Sequence, residues 1–185
     1  MSKEAPGRLS RLLQRIDSDP RLVKLLRLGR SRLPGDERYG DPLSLTGDQA
    51  REVGSVVEPE ICSRGGEIVK RLGDGLMAVF EDSGRAIEAA HASAQALEGV
   101  QVDGNCPRLR AGVHAGRPRR IGGDYFGVDV NIAARVAEAA GPGEVLVSEA
   151  VHERVEADTV QLKRRWRFSA KGAPKGLKVY AAEPS

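Results

Sequence analysis

Residues 121–135, Ile-Gly-Gly-Asp-Tyr-Phe-Gly-Val-Asp-Val-Asn-Ile-Ala-Ala-Arg, run from a glycine-rich loop straight into an alanine-rich helix. Asn131 and Arg135 lie four apart on that helix, so their side chains share one face. Asp124 sits in the loop just before the helix, close enough in sequence to converge with them. An acid, an amide and a guanidinium gathered in this way can read a base, hold a sugar and clamp a phosphate. The stop after the helix is equally plain, Gly141-Pro142-Gly143.

The strands are read around this unit. Glu67–Leu72 leads through Gly73-Asp74-Gly75 into Leu76-Met77-Ala78-Val79-Phe80, a hairpin with a glycine-flanked Asp at its turn. Taken singly, Asp74 is a turn former and Lys70 an edge-strand lysine. Together they place a second polar pair inside an otherwise apolar hairpin. Ser83 is suited to cap a helix over about 84–98, whose Ala86, Ile87, Ala90, Ala94 and Leu97 form a small-residue face. Leu109–His114 reads as a strand, and His114 on it as a structural histidine, since His91 and His152 are too scattered to join it at a zinc site. Glu144–Val147 is a short apolar strand, Ser148 caps a short helix to about Val155, and a strand at Leu177–Tyr180 ends the pattern. The order β-β-α-β-α-β-α-β-β implies an α/β sandwich, its helices over one face of a mixed, mostly antiparallel sheet.

Upstream of residue 41 the chain differs in character. Of the 29 basic and 26 acidic residues, residues 1–40 hold ten basic and five acidic. The excess positive charge therefore belongs to this segment, and the pI does not make the domain a nucleic-acid-binding fold. Leu9, Leu12, Leu13 and Ile16 keep helical spacing; after Ser18-Asp19-Pro20, Leu22, Leu25 and Leu26 give a second helix its apolar side. Residues 1–40 are thus expected to form a basic helical extension and linker, with the domain at 41–185. Without aromatic anchors, the solvated reading of these helices is preferred to a membrane-surface contact. Residues 49–63 suit a helix that Pro59 interrupts or begins. No apolar run reaches membrane-spanning length, and Cys62 and Cys106 fit no metal-ligand spacing, so a reduced, cytoplasmic protein is expected.

Five stretches, in order, resemble the class III adenylyl/guanylyl cyclase catalytic domain: residues 69–80, 110–116, 123–135 and 141–148, and the closing Lys-Gly with Val-Tyr. The resemblance implies a ferredoxin-like βαββαβ core working as a head-to-tail homodimer, with ATP held at sites in the subunit groove. It implies that one subunit supplies two metal-binding aspartates and the other a purine-reading Lys/Asp pair, an Asn that orients the ribose and an Arg for the transition state. By motif position Asp74 is similar to the second metal aspartate, and Lys70 and Asp124 to the purine-reading pair. Asn131 and Arg135 take the ribose and transition-state roles, with Lys171 or Lys175 at the triphosphate. The metal implied is Mg²⁺ or Mn²⁺, as suits carboxylate and phosphate oxygens.

Adenine presents an amine donor at N6 and an acceptor at N1, which an acid and a lysine complement; guanine reverses that polarity, so Lys70 with Asp124 argues for ATP. The sequence departs from the family pattern at its first strand, which carries the first metal aspartate. The nearest candidate is Asp41 in Asp-Pro-Leu-Ser-Leu-Thr, which keeps the Asp-x-x-small-x-Thr spacing but has a proline where a strand would pair. Two readings follow. One is an adenylyl cyclase domain producing 3′,5′-cyclic AMP and pyrophosphate in intracellular signalling; the other is a cyclase-like domain without catalysis that binds nucleotide or dimerises.

Overall fold

A computed structural model describes the backbone of residues 22–30, together with residues 47–72, 75–102, 104, 106–156, 160–166, 168 and 172–184. The expected first helix, Leu9–Ile16, lies outside these residues.

The expected second helix is instead a strand. Leu22–Arg30 forms β1, which pairs antiparallel with both β3 (Gly75–Phe80) and β4 (Pro107–Ala115), Leu25 lying opposite Met77 on one side and Gly112 on the other. With β2 (Glu67–Leu72) beyond β3, these four strands stand in the order β2-β3-β1-β4, all antiparallel. That is the strand order of a ferredoxin-like βαββαβ core. The sheet therefore draws its second inner strand from the segment expected to be a helical extension. A strand covered on both faces carries apolar residues without alternation, and such a run also satisfies helical spacing at Leu22, Leu25 and Leu26.

Beyond β4 the sheet continues through β7 (Val145–Ser148), β9 (Val179–Glu183) and β8 (Gln161–Arg164). β4 and β7 run parallel, whereas β7, β9 and β8 pair antiparallel. Helix α1 (Gly47–Ser63) continues through Pro59 rather than breaking there. Helix α2 (Ser83–Ala96) is capped by Asp82, whose carboxylate accepts the Arg85 N–H at 2.8 Å, and not by Ser83 as expected.

The core lies on both faces. On one, Val53, Val57 and Ile61 of α1 and Ala86, Ile87 and Ala90 of α2 pack on Leu76, Phe80, Ala111 and Val113 of the sheet. Helix α3 (Val128–Ala139) covers the opposite face, correcting the expectation of helices on one side only. A Cβ added at Gly112 of β4 would lie 2.6 Å from Ala137 Cα and closer still to its amide nitrogen. Only a bare glycine allows α3 so close. Strand β4 alternates accordingly, with Ala111 and Val113 toward α1 and α2, and Gly112 and His114 toward α3. Helix α4 (Glu149–His152) follows β7 directly.

The loop expected between Ile121 and Asp124 is a tight hairpin, β5 (Arg119–Ile121) and β6 (Asp124–Phe126), turning on Gly122 and Gly123 at φ 59° and 87°. Two consecutive positive φ values suit glycine and match the twist of a two-residue hairpin. Tyr125, 1% exposed, anchors the hairpin among Met77, Val79, Ala133 and Ala137.

Candidate functional site

Lys70 reaches the site through a fault in its strand. Pairing between β2 and β3 runs Ile68 to Ala78 but then Lys70 to Met77, so a bulge absorbs one residue at Val69. Without the bulge Lys70 would fall opposite Leu76, toward α1 and α2; one residue of slip exchanges the faces of a strand. With it, Lys70 faces α3 and the β5–β6 hairpin. Its ammonium donates to Asp124 Oδ2 at 2.6 Å and stands 5.5 Å from the centre of the Phe126 ring. The other oxygen of Asp124 accepts the Tyr125 N–H at 2.7 Å. The two side chains are 32% and 29% exposed, open enough to meet a ligand edge-on. The Lys70 ammonium holds the Asp124 carboxyl below its ordinary range; partial burial opposes this, and the Tyr125 N–H adds to it. Asp124 is thus an anion at neutral pH. The lysine keeps donors to spare and the carboxylate keeps lone pairs, so the pair can bind a donor and an acceptor side by side.

Asn131 and Arg135 lie one turn apart on α3, Asn131 exposed and Arg135 half-buried. Arg135 pairs with Glu138 on its own helix, and a Cβ at Gly172 would sit 3.7 Å from its Nε. Its guanidinium therefore lies against the C-terminal loop that carries Lys171 and Lys175. Lys175 is exposed beside Trp166 and Phe168 in a cavity of about 360 Å³; Lys171 lies outside the described residues. Asp124 is engaged by Lys70, and among the described residues no hydrogen bond or ion pair joins it to Asn131 or Arg135. The site consists of two groups, Lys70 with Asp124 and Asn131 with Arg135, on adjoining elements.

Asp129 was missed by the sequence reading. It accepts the Arg117 N–H at 2.8 Å through Oδ2 and faces His114 Nε2 at 3.2 Å through Oδ1. The other ring nitrogen of His114 lies 2.8 Å from the hydroxyl of Ser148. A carboxylate only accepts, so Nε2 carries the proton and the Ser148 hydroxyl donates to Nδ1. Burial pushes the imidazole below its ordinary value of 6.5, Arg154 adding to this, against the hydrogen bond and charge of Asp129. His114 is structural, as expected, but it ties three elements together. Ser148 precedes α4 without a side-chain cap hydrogen bond, its hydroxyl being turned to His114.

The metal aspartates are a different matter. Asp74 and Asp41 lie outside the described residues. Strand β1 occupies the place of the family's first strand, and its sequence from Leu22 to Arg30 contains no Asp or Glu; Arg27 stands opposite Gly75, the residue after Asp74. Among the described residues no group of three His, Cys, Asp or Glu side chains is placed to hold a metal. Among the described residues no two-carboxylate metal pair is formed, and no chemical step is routed through one.

A ferredoxin-like core that carries a Lys/Asp pair beside an Asn/Arg helix defines the class of α/β domain to which the chain is to be compared. Residues 59–183 match the model of the adenylate and guanylate cyclase catalytic domain, and the chain belongs to that family. It is similar to a pH-sensitive adenylate cyclase of Mycobacterium tuberculosis, 37% identical over 114 residues, which cover 60% of this chain and 27% of that one. An adenylate cyclase of Streptomyces coelicolor is 30% identical over 152 residues, 78% of this chain and 38% of the relative. The chain thus spans well under half the length of these relatives. Among solved structures, an adenylate/guanylate cyclase/hydrolase from Silicibacter pomeroyi superposes with a TM-score of 0.64 at 24% identity, covering 89% of this chain and 98% of that one. Class III cyclases are metal-dependent and commonly dimerise. No helix among the described residues is long and apolar enough to cross a membrane.

Proposed function

We propose that this domain binds ATP and takes part in its conversion to 3′,5′-cyclic AMP and pyrophosphate. It would serve as the half of a cyclase site that reads the purine and holds the ribose. The observation that carries this reading is the Lys70–Asp124 pair, bonded at 2.6 Å, with an ammonium and a carboxylate side by side on an accessible edge. Asp124 accepts from adenine N6 and Lys70 donates to N1; guanine presents the opposite polarity at that edge. Cyclisation is an intramolecular attack of the ribose 3′-oxygen on the α-phosphate, with loss of pyrophosphate. Positioning is therefore most of the task, and it falls to Asn131. Arg135, beside the loop of Lys171 and Lys175, neutralises charge developing on the phosphate.

A second copy of the chain is the proposed partner. Leu72 at the end of β2, Ile121 and Phe126 of the β5–β6 hairpin and Val128 at the start of α3 are all substantially exposed near Lys70 and Asp124. Exposed apolar side chains grouped around a polar site suit an interface that closes over it. ATP as substrate places the domain in the cytoplasm, consistent with free Cys62 and Cys106.

The second reading, nucleotide binding without turnover, is favoured by the absence of a carboxylate in β1. One incubation separates the two: purified chain with ATP and Mn²⁺, with ATP binding followed by calorimetry and product by mass spectrometry. Cyclic AMP and pyrophosphate together support turnover. Tight ATP binding with no product leaves the second reading, and no ATP binding refutes the first and leaves the second only as a dimerising domain.

A further inference from the structure

Helix α3 starts without the usual restraints. Its N-cap is Gly127, at φ 128° and ψ −175°, which offers no side-chain hydrogen bond to the exposed amides of the first turn. The opening backbone bond, Asn131 N–H to Gly127 O, is long at 3.4 Å, and Val128 is 69% exposed. Full burial begins further along, at Ala133, Val136 and Ala137, with Val130 and Ile132 only partly buried against the core. Asn131 falls between the loose start and the packed remainder.

Asp129 provides the missing restraint. Its carboxylate is held from below by the Arg117 N–H and His114 Nε2, both belonging to β4 or the residues just after it. Gly116 makes this approach possible: a Cβ there would lie 2.6 Å from both Cβ and Oδ1 of Asp129 and closer still to its Cγ. His114 is fixed in turn by Ser148, which is fully buried at the end of β7. A continuous hydrogen-bonded line thus runs from β7 through β4 into the first turn of α3, two residues before Asn131. A carboxylate in that turn also meets the positive end of the helix dipole.

We propose that Asp129, held by His114 and the Arg117 amide, is a positioning residue that fixes the first turn of α3 and so sets the place of Asn131. The proposal rests on the reading that Asn131 holds the ribose of ATP. Asp129 touches no substrate in this account and acts through its neighbour two residues on.

The test uses the full chain and two readouts. In amide hydrogen exchange, Asp129→Ala speeds exchange at residues 131–134, whose amides make the first backbone bonds of α3, at least tenfold while β4 and the hairpin at 119–126 keep their protection. Gly116→Ala, which displaces the same carboxylate without removing it, does likewise. Asp129→Asn, which still accepts the Arg117 N–H, gives a smaller change. Unchanged protection of the first turn in Asp129→Ala overturns the proposal. In calorimetric titration with ATP, Asp129→Ala weakens binding about tenfold in the wild-type background and adds nothing to Asn131→Ala, because residues acting through one another are non-additive. The ATP-over-GTP preference, set by Lys70 and Asp124, stays unchanged. Equal losses in both backgrounds overturn the proposal in favour of a general structural role. Failure of the wild type to bind ATP removes the ribose assignment and the proposal with it, and the exchange data tell that failure apart from the loss of the helix restraint alone.

Discussion

Replacing Gly112 with alanine tests the seat of the candidate site. The added methyl would stand 2.6 Å from Ala137 Cα and 2.7 Å from its Cβ, where ordinary carbon contacts settle near 3.5–4.0 Å. One of the two layers must yield by roughly 1 Å. Strand β4 cannot, because it is paired on one side with β1 and on the other with β7, so α3 lifts. Overpacking of this kind costs about 1–3 kcal/mol, and the backbone contact places it near the upper end. For a chain of this size each kcal/mol lowers Tm by about 2–4 °C, so Gly112→Ala should melt roughly 5–10 °C below the wild type by circular dichroism. The site should suffer more than the fold. Asn131 and Arg135 ride on α3, and a displacement of about 1 Å in a positioning group can cost on the order of a hundredfold in turnover. Where the protein is read by binding alone, ATP affinity should fall while ATP is still preferred over GTP. A Tm within a degree of wild type, with ATP affinity unchanged, would refute the claim that close contact at Gly112 sets the helix.

Two further outcomes follow from the same geometry. Because burial holds the folded-state pKa of His114 below 6.5, the unfolded chain takes up that proton first. The contribution of His114 to stability is therefore full above about pH 6.5, declines as the pH falls below it, and levels off once the folded imidazole is itself protonated. Its slope stays below ~1.4 kcal/mol per pH unit for one proton, and urea melts of wild type and His114→Gln between pH 5 and 7.5 isolate it by difference. Phe126→Asp, a charge placed on an exposed ring, should leave the monomer's Tm nearly unaltered and shift sedimentation toward monomer; an unmoved dimer would place the interface elsewhere.

How much of this was legible in the sequence depends on which residues answer to local patterns. The hairpin at β2–β3, strand β4, helix α3 and the glycine stop after it follow from alternation, small-residue spacing and turn chemistry, and each occurs where those rules put it. Lys70 and Asp124 were legible as a pair through the family resemblance, but the bulge that turns Lys70 to the correct face leaves no mark in composition. Strand β1 was misread because a central strand, paired on both edges, need not show the alternation that marks a half-covered strand, and its leucines happen to keep helical spacing. Asp129 was overlooked because its partners, His114 and Arg117, are twelve or more residues away. The one hint was Gly116 after His114, which on a strand end marks a close approach. The cap of α2 moved by one residue, from Ser83 to Asp82, an ordinary uncertainty where two good capping residues adjoin.

The central claim is that Lys70 and Asp124 read adenine, and paired titrations of ATP and GTP into wild type, Lys70→Ala and Asp124→Ala test it most directly. A good two-point base contact discriminates by about 1–3 kcal/mol, so wild type should prefer ATP by roughly 5- to 150-fold. Each variant should lose most of that preference. The fold should stay intact, since a half-exposed ion pair contributes only ~0.2–1 kcal/mol to stability. A wild type that binds the two nucleotides equally, or variants that keep the full preference for ATP, would contradict the account.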